Sequence, residues 1–232
     1  MRFAVLEFGG SNCDRDTVRV LEEVCGVDTD LVWYRDGLGR LYDAVILPGG
    51  FSYGDYLRAG AIAARTRVME EVQRHVEQGG LVLGICNGAQ IGTESGMVPG
   101  TFTMNTYPKF ISDHVLLRVE NTSSPFTHQY REGEIIRIPI AHKEGRYVAD
   151  PQTIDALNRE NRVAFRFCDE SGACTAEANP NGSTECITGL FNEDQRVMVM
   201  MPHPERASEE VLGSGDGRRI FTSMIAFIEE NG

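Results

Sequence analysis

The sequence predicts a single α/β domain, three layers deep around a mostly parallel central sheet, and three observations carry that reading. Short apolar runs alternate with amphipathic segments over the first two-thirds of the chain. Several of these runs and segments stop at glycine or proline. No linker, repeat or low-complexity stretch divides the 232 residues, so residues 1–232 read as one domain, and 41% hydrophobic residues are enough to fill its core.

Taken in order, Arg2 to Phe8 is β-branched and aromatic and reads as a strand that turns at GGSNCD. Asp14 to Cys25 carries Val18, Leu21 and Val24/Cys25 on one helical face and stops at Gly26. Strands follow at Asp30–Tyr34 and Ala44–Leu47, the second ending at Pro48-Gly49-Gly50. Val68, Met69, Val72 and Val76 stripe a helix that stops at Gly79-Gly80, and Leu81–Ile85 is the next strand. From His114 the pattern turns β-rich and irregular, through HVLLRVE, EIIRIPIAH, VAFRFC and ITGLFN. VMVMM then leads into PHPE, and Ile220, Phe221, Met224, Ile225 and Ile228 make a closing helix.

A net charge of −12, with Lys109 and Lys143 the only lysines, leaves no basic patch to neutralise phosphates and argues against a nucleic-acid binder. No apolar run is long enough to cross a bilayer, and Arg2–Phe8 is too short for a secretory h-region, so a cytoplasmic protein is expected. The six cysteines include no C-x-x-C pair, and the Cys168, Cys174 and Cys186 intervals fit no common zinc spacing. Free thiols are the expectation there.

Chemistry concentrates at three strand ends: LPGGF, GICNG and MPHPE. Cys86 stands between Gly84 and Gly88 at the turn from a strand into a helix, the pattern of a nucleophile elbow, which needs small residues two either side. A helix N-terminus beside it favours a thiolate. The bland alternative is a core cysteine at a glycine-rich strand end. His203 follows a buried-strand composition and is set between Pro202 and Pro204, which push the chain extended and leave Glu205 on the same side. Nucleophile, base and orienting carboxylate make a triad; the alternative for His203 is a turn histidine. The amides of Asn87 and Gly50 are candidate oxyanion donors. His75 reads as structural, while His114 and His128 have no constellation.

GICNGAQ, PGG and HPE in this order resemble the class I (triad) glutamine amidotransferases. The resemblance implies a flavodoxin-like three-layer fold, with Cys86 as nucleophile, His203 as base and acid, and Glu205 as orienter. It also implies Gly50 and Asn87 as oxyanion amides and Gln90 as a residue that helps hold glutamine. Further blocks narrow the match to a subunit-type member: PGGFSYGDYLRAGAIA, GSNCDRDT, IPIAHKEGRY and NPNGSTECITGLFN. Such a member implies a large synthetase subunit, which uses ATP and Mg2+ to turn formylglycinamide ribonucleotide into its amidine, and in many organisms a small accessory subunit. No metal and no cofactor are then expected in this chain, which carries no P-loop motif.

Residues 100–113 lack an arginine and a cysteine that the resemblance leads one to expect. His142 lies in a family block and reads either as a neighbour of the glutamine site or partner, or as a solvated loop residue. The competing readings are a stand-alone cysteine hydrolase, a glutaminase serving another synthase, and a non-catalytic interaction module. HPE argues against the first, the subunit-type blocks against the second, and an intact Cys86, His203 and Glu205 against the third.

Overall fold

The computed structural model describes residues 1–231. Strands β1 (Arg2–Glu7), β2 (Asp28–Trp33), β3 (Ala44–Leu47), β4 (Leu81–Ile85) and β11 (Val197–Met200) form the parallel half of a nine-stranded sheet. Its order is β2-β1-β3-β4-β11-β10-β9-β6-β7, where β6 is Ile111–Val119, β7 Ile135–His142, β9 Val163–Phe167 and β10 Ile187–Phe191. The last four strands pair antiparallel, which is the β-rich, irregular second half of the sequence. β3, β4 and β11 are buried at every residue, as expected of parallel strands covered on both faces.

The order 2-1-3-4-5 of the parallel half explains the layers. From β1 the chain steps one way to β2 through helix α1 (Asp14–Arg19). It steps the other way from β3 to β4 through α2 (Arg67–Glu77), and α3 (Asn87–Glu94) leaves β4 on the same course. Right-handed crossovers in opposite directions put α1 on one face and α2 and α3 on the other. The ends of β1 and β3 are thereby splayed at a topological switch point, where open α/β sheets place their ligands.

Several expectations need correction. The helix read over residues 14–25 changes pitch: after Arg19 it continues as a π-turn, Val20–Val24, closed by Cys25 N–H to Val20 O at 2.9 Å. Helix α4 (Pro151–Arg159) interrupts the region read as β-rich. Its start was written in the sequence, because Asp150 caps the Thr153 N–H at 3.0 Å and Pro151 takes the first turn. A small antiparallel pair, β5 (Thr101–Thr103) with β8 (Arg146–Val148), also went unread. Cys174 and Cys186 are not free thiols but a disulfide, across Cα atoms 6.0 Å apart, while Cys168 is free. The closing helix is α5, Arg218–Asn231. Among the described residues no helix is long and apolar enough to cross a membrane.

Candidate active site

The three strand ends meet. Leu47 of β3 lies opposite Gly84 of β4, and Ile85 of β4 opposite Met200 of β11, so PGG, the elbow and HPE begin at one level of the sheet edge. Cys86 has φ 50° and ψ −103°, a strained conformation for a residue with a Cβ, and it lifts the side chain off the sheet edge. The flanking glycines are required by contact. A Cβ on Gly84 would lie 2.7 Å from the Gly88 oxygen, and one on Gly88 would run into the Leu47 carbonyl. Cys86 Sγ faces the Ala141 carbonyl at 3.6 Å.

His203 and Glu205 are each 2% exposed. The pairing read from the sequence is there, by a different route. Pro204 opens a 3-10 turn, Pro204–Ala207, and Glu205 reaches the ring from that turn rather than along an extended strand. His203 Nδ1 donates to Glu205 Oε1 at 2.6 Å, and the backbone N–H of His203 is tied to Pro139 O at 2.8 Å. Burial by itself would discharge the ring, but the Glu205 carboxylate and then Cys86 outweigh it and hold the imidazole well above its ordinary range. His203 Nε2 has no hydrogen-bond partner and is left to the cavity.

Gly50 sits at φ +155°, where a Cβ would come within 2.7 Å of Ser11 Cα, so glycine is required. The bridge between Ser11 and Gly50 is made by Asn12 N–H to Gly49 O and Phe51 N–H to Gly10 O. It leaves the Gly50 N–H outside the ladder. Asn87 opens α3, where a first-turn N–H has no intrahelical acceptor. The side chains of Asn87 and Gln90 are engaged with the protein itself. Asn87 Oδ1 accepts from Ser52 N–H at 3.1 Å and its Nδ2 donates to Gln90 Oε1 at 2.8 Å, while Gln90 Nε2 donates to Glu144 O at 2.7 Å. Gln90 thus fixes the turn after β7 and does not line the cavity.

That turn is clamped elsewhere too. Asn105 Oδ1 accepts from Gly145 N–H, Asn181 Nδ2 donates to Gly145 O, and His142 is packed beneath, 3% exposed. His142 is therefore no solvated loop residue. Burial, with the His203 charge, pushes its pKa down to about 4, and its Nδ1 is unpartnered. His75 is buried against Leu81 O, as its structural reading expects.

A cavity of about 180 Å³ collects Cys86, His203 and Gly50 with residues the sequence did not single out as site residues: Asn12, Cys13, Phe51, Phe110, Ser112 and Arg206. Cys13 is 1% exposed; its thiol donates to Asn12 Oδ1 at 3.1 Å and accepts from Arg206 Nη2 at 3.0 Å. Only the position of GGSNCD after a first strand, beside the switch point, hinted at it. The arrangement can attack a carbonyl with a thiol, hold the resulting oxyanion on two amides and shuttle a proton through His203.

Residues 1–226 match the CobB/CobQ-like glutamine amidotransferase domain. The chain is 52% identical over 231 residues to phosphoribosylformylglycinamidine synthase subunit PurQ of Methanosarcina acetivorans, covering all of both chains. It is 50% identical to the PurQ of Methanocaldococcus jannaschii, covering 98% of each. Among solved structures, a chain in PurLQS from Thermotoga maritima superposes with a TM-score of 0.86 at 43% identity, covering 98% of each chain.

Proposed function

The chain belongs to the CobB/CobQ-like glutamine amidotransferases, and from that membership we propose that it is the glutaminase subunit of phosphoribosylformylglycinamidine synthase, as its PurQ relatives are named. It hydrolyses glutamine to glutamate and ammonia and passes the ammonia to a PurL-type synthetase subunit, with a PurS-type accessory subunit in the complex, as in the similar PurLQS assembly. ATP and Mg2+ belong to the synthetase, and the setting is the cytoplasm. The observation that carries the reading is an elbow cysteine sharing one cavity with a buried His–Glu pair.

In this account Cys86, its proton already passed to His203, attacks the glutamine side-chain carbonyl. The Gly50 and Asn87 amides receive the oxyanion, and Glu205 holds the charged ring. His203 then protonates the departing ammonia and activates water to clear the thioester. Gln90 contributes by holding Glu144 and the turn that borders the substrate. Replacing Cys86 by Ala is expected to cut glutamine-dependent amidine synthesis by on the order of 10⁴-fold or more while ammonia-dependent synthesis by the complex continues. Glutamine use that survives Cys86→Ala would remove the nucleophile assignment.

Partner binding has a place to act. The segment after Gly50 holds Tyr53, Gly54, Asp55 and Leu57 at positive φ, and it exposes Tyr56 at 72% and Leu57 at 85%. A strained apolar loop continuous with the oxyanion glycine links docking to catalysis, so the isolated chain is expected to be slow.

A further inference from the structure

Cys13, His203 and Glu205 form a cluster that the hydrolytic mechanism only partly uses. Among the described residues it is the one group of three or more His, Cys, Asp or Glu side chains close enough to share an ion, with one ligand atom from each lying within 4.8 Å of the others. All three are at most 2% exposed, and both His203 Nε2 and Glu205 Oε2 are buried without a partner. We propose that this corner of the cavity is a site for a soft divalent cation, Zn2+ first, held by Cys13 Sγ, an imidazole nitrogen of His203 and a Glu205 oxygen.

The donor set fits that class of ion. One sulfur, one imidazole and one carboxylate are zinc ligands, whereas Mg2+ and Ca2+ ask for oxygen alone. Zinc bonds of about 2.0 to 2.3 Å in a tetrahedron put ligand atoms roughly 3.3 to 3.6 Å apart, so atoms as far as 4.8 Å apart must close by about 1.2 to 1.5 Å. The 2.6 Å contact of His203 Nδ1 with Glu205 Oε1 must open where those two atoms bind. The fourth position opens into the cavity of about 180 Å³ that Cys13, His203 and Cys86 line together. Binding forms a sulfur–metal and a nitrogen–metal bond as the Cys13 thiol and the His203 imidazolium each release one proton to solvent; nothing is oxidised or reduced.

Arg206 opposes the ion. Its Nη2 donates to Cys13 Sγ at 3.0 Å, and its Nε lies 3.9 Å from Glu205 Oε1 and 4.0 Å from Asp16 Oδ2. The cation must displace this guanidinium, whose side chain is 38% exposed and has room to swing outward. Arg206 therefore sets the affinity. An occupied site also takes His203 out of proton transfer, so Zn2+ competes with glutamine; that consequence rests on the proposed function, whereas binding itself does not.

The test is titration of the metal-stripped chain with Co2+ without glutamine, reading the thiolate-to-cobalt charge-transfer absorption, followed by Zn2+ displacement. The wild type and Cys86→Ala are expected to show the band, and Cys13→Ser to lose it. Zn2+ should bind Cys13→Ser weaker by at least the ~10- to 100-fold that removal of an outer-shell partner costs a metal site. Arg206→Gln should bind more tightly than the wild type, which a merely structural loss would not produce. Cys13→Ala gives the same answer should the serine variant misfold. A band that survives in Cys13→Ser and vanishes in Cys86→Ala would place the ion on the nucleophile and overturn the site, as would no band in folded wild type. Cobalt bound through Cys13 in a chain that, metal-free, releases no glutamate alone or with an active synthetase would keep the site and remove the function.

Discussion

Burial alone would discharge His203, and the Glu205 carboxylate shifts the ring back toward its charged form, so removing that carboxylate is the test. Glu205→Gln keeps the shape but supplies no charge to the ring, so glutamate release should fall by about 10⁴-fold, as when a triad acid is made an amide. A near-normal rate would mean the carboxylate is not the orienter. His142 works in the opposite sense. Its folded pKa, about 4, lies below the ordinary 6.5, so the unfolded chain takes the proton first. Its contribution to stability is whole above pH 6.5 and is lost as pH falls toward 4. Asp55, raised to about 6 by burial and then by Glu144, runs the other way, its unfavourable ionisation being relieved as pH falls through 6. Urea unfolding should therefore show the wild-type advantage over His142→Asn shrinking between pH 6.5 and 4. An advantage independent of pH would contradict the buried neutral ring.

At the scale of elements, the site depends on how closely α3 lies against β3. A methyl on Gly88 collides with the Leu47 carbonyl, so Gly88→Ala should cost about 1–3 kcal/mol or more and lower activity through the displaced elbow. Calorimetry showing an unchanged Tm would mean the elbow gives way freely. The Cys174–Cys186 disulfide closes a loop of sequence separation 12 beside Asn181 and Ser183, which hold the 142–147 turn. Reduction should cost about 2–4 kcal/mol, read as a lower urea midpoint.

These elements were unequally legible. Ala44–Leu47 and Leu81–Ile85 are legible to the residue because buried parallel strands are near-continuous apolar runs, here set off by Asp43 and Pro48 and by Gly80 and the Cys86 turn. The Cys86, His203 and Glu205 convergence followed because strand ends gather chemistry whatever the loops do. The disulfide was hidden because spacing says nothing of which loops approach. Cys13 was hidden because its partner Arg206 is 193 residues away. The π-turn has no period of its own, and α4 was obscured by the apolar strands either side.

Across the whole molecule, one edge of the parallel half-sheet carries Cys86, Gly50, His203 and the exposed loop through residues 53–57. The antiparallel half supplies Ala141 and the clamped turn from the other side. Apolar side chains exposed near this edge suit a subunit that docks against a partner. The most direct measurement is glutamate release from glutamine, by this chain alone and with PurL- and PurS-type subunits, formylglycinamide ribonucleotide and ATP. The account predicts slow release alone and a large rise on mixing, with amidine formed alongside glutamate. No glutamate under either condition, from folded chain and a synthetase active with free ammonia, would contradict it.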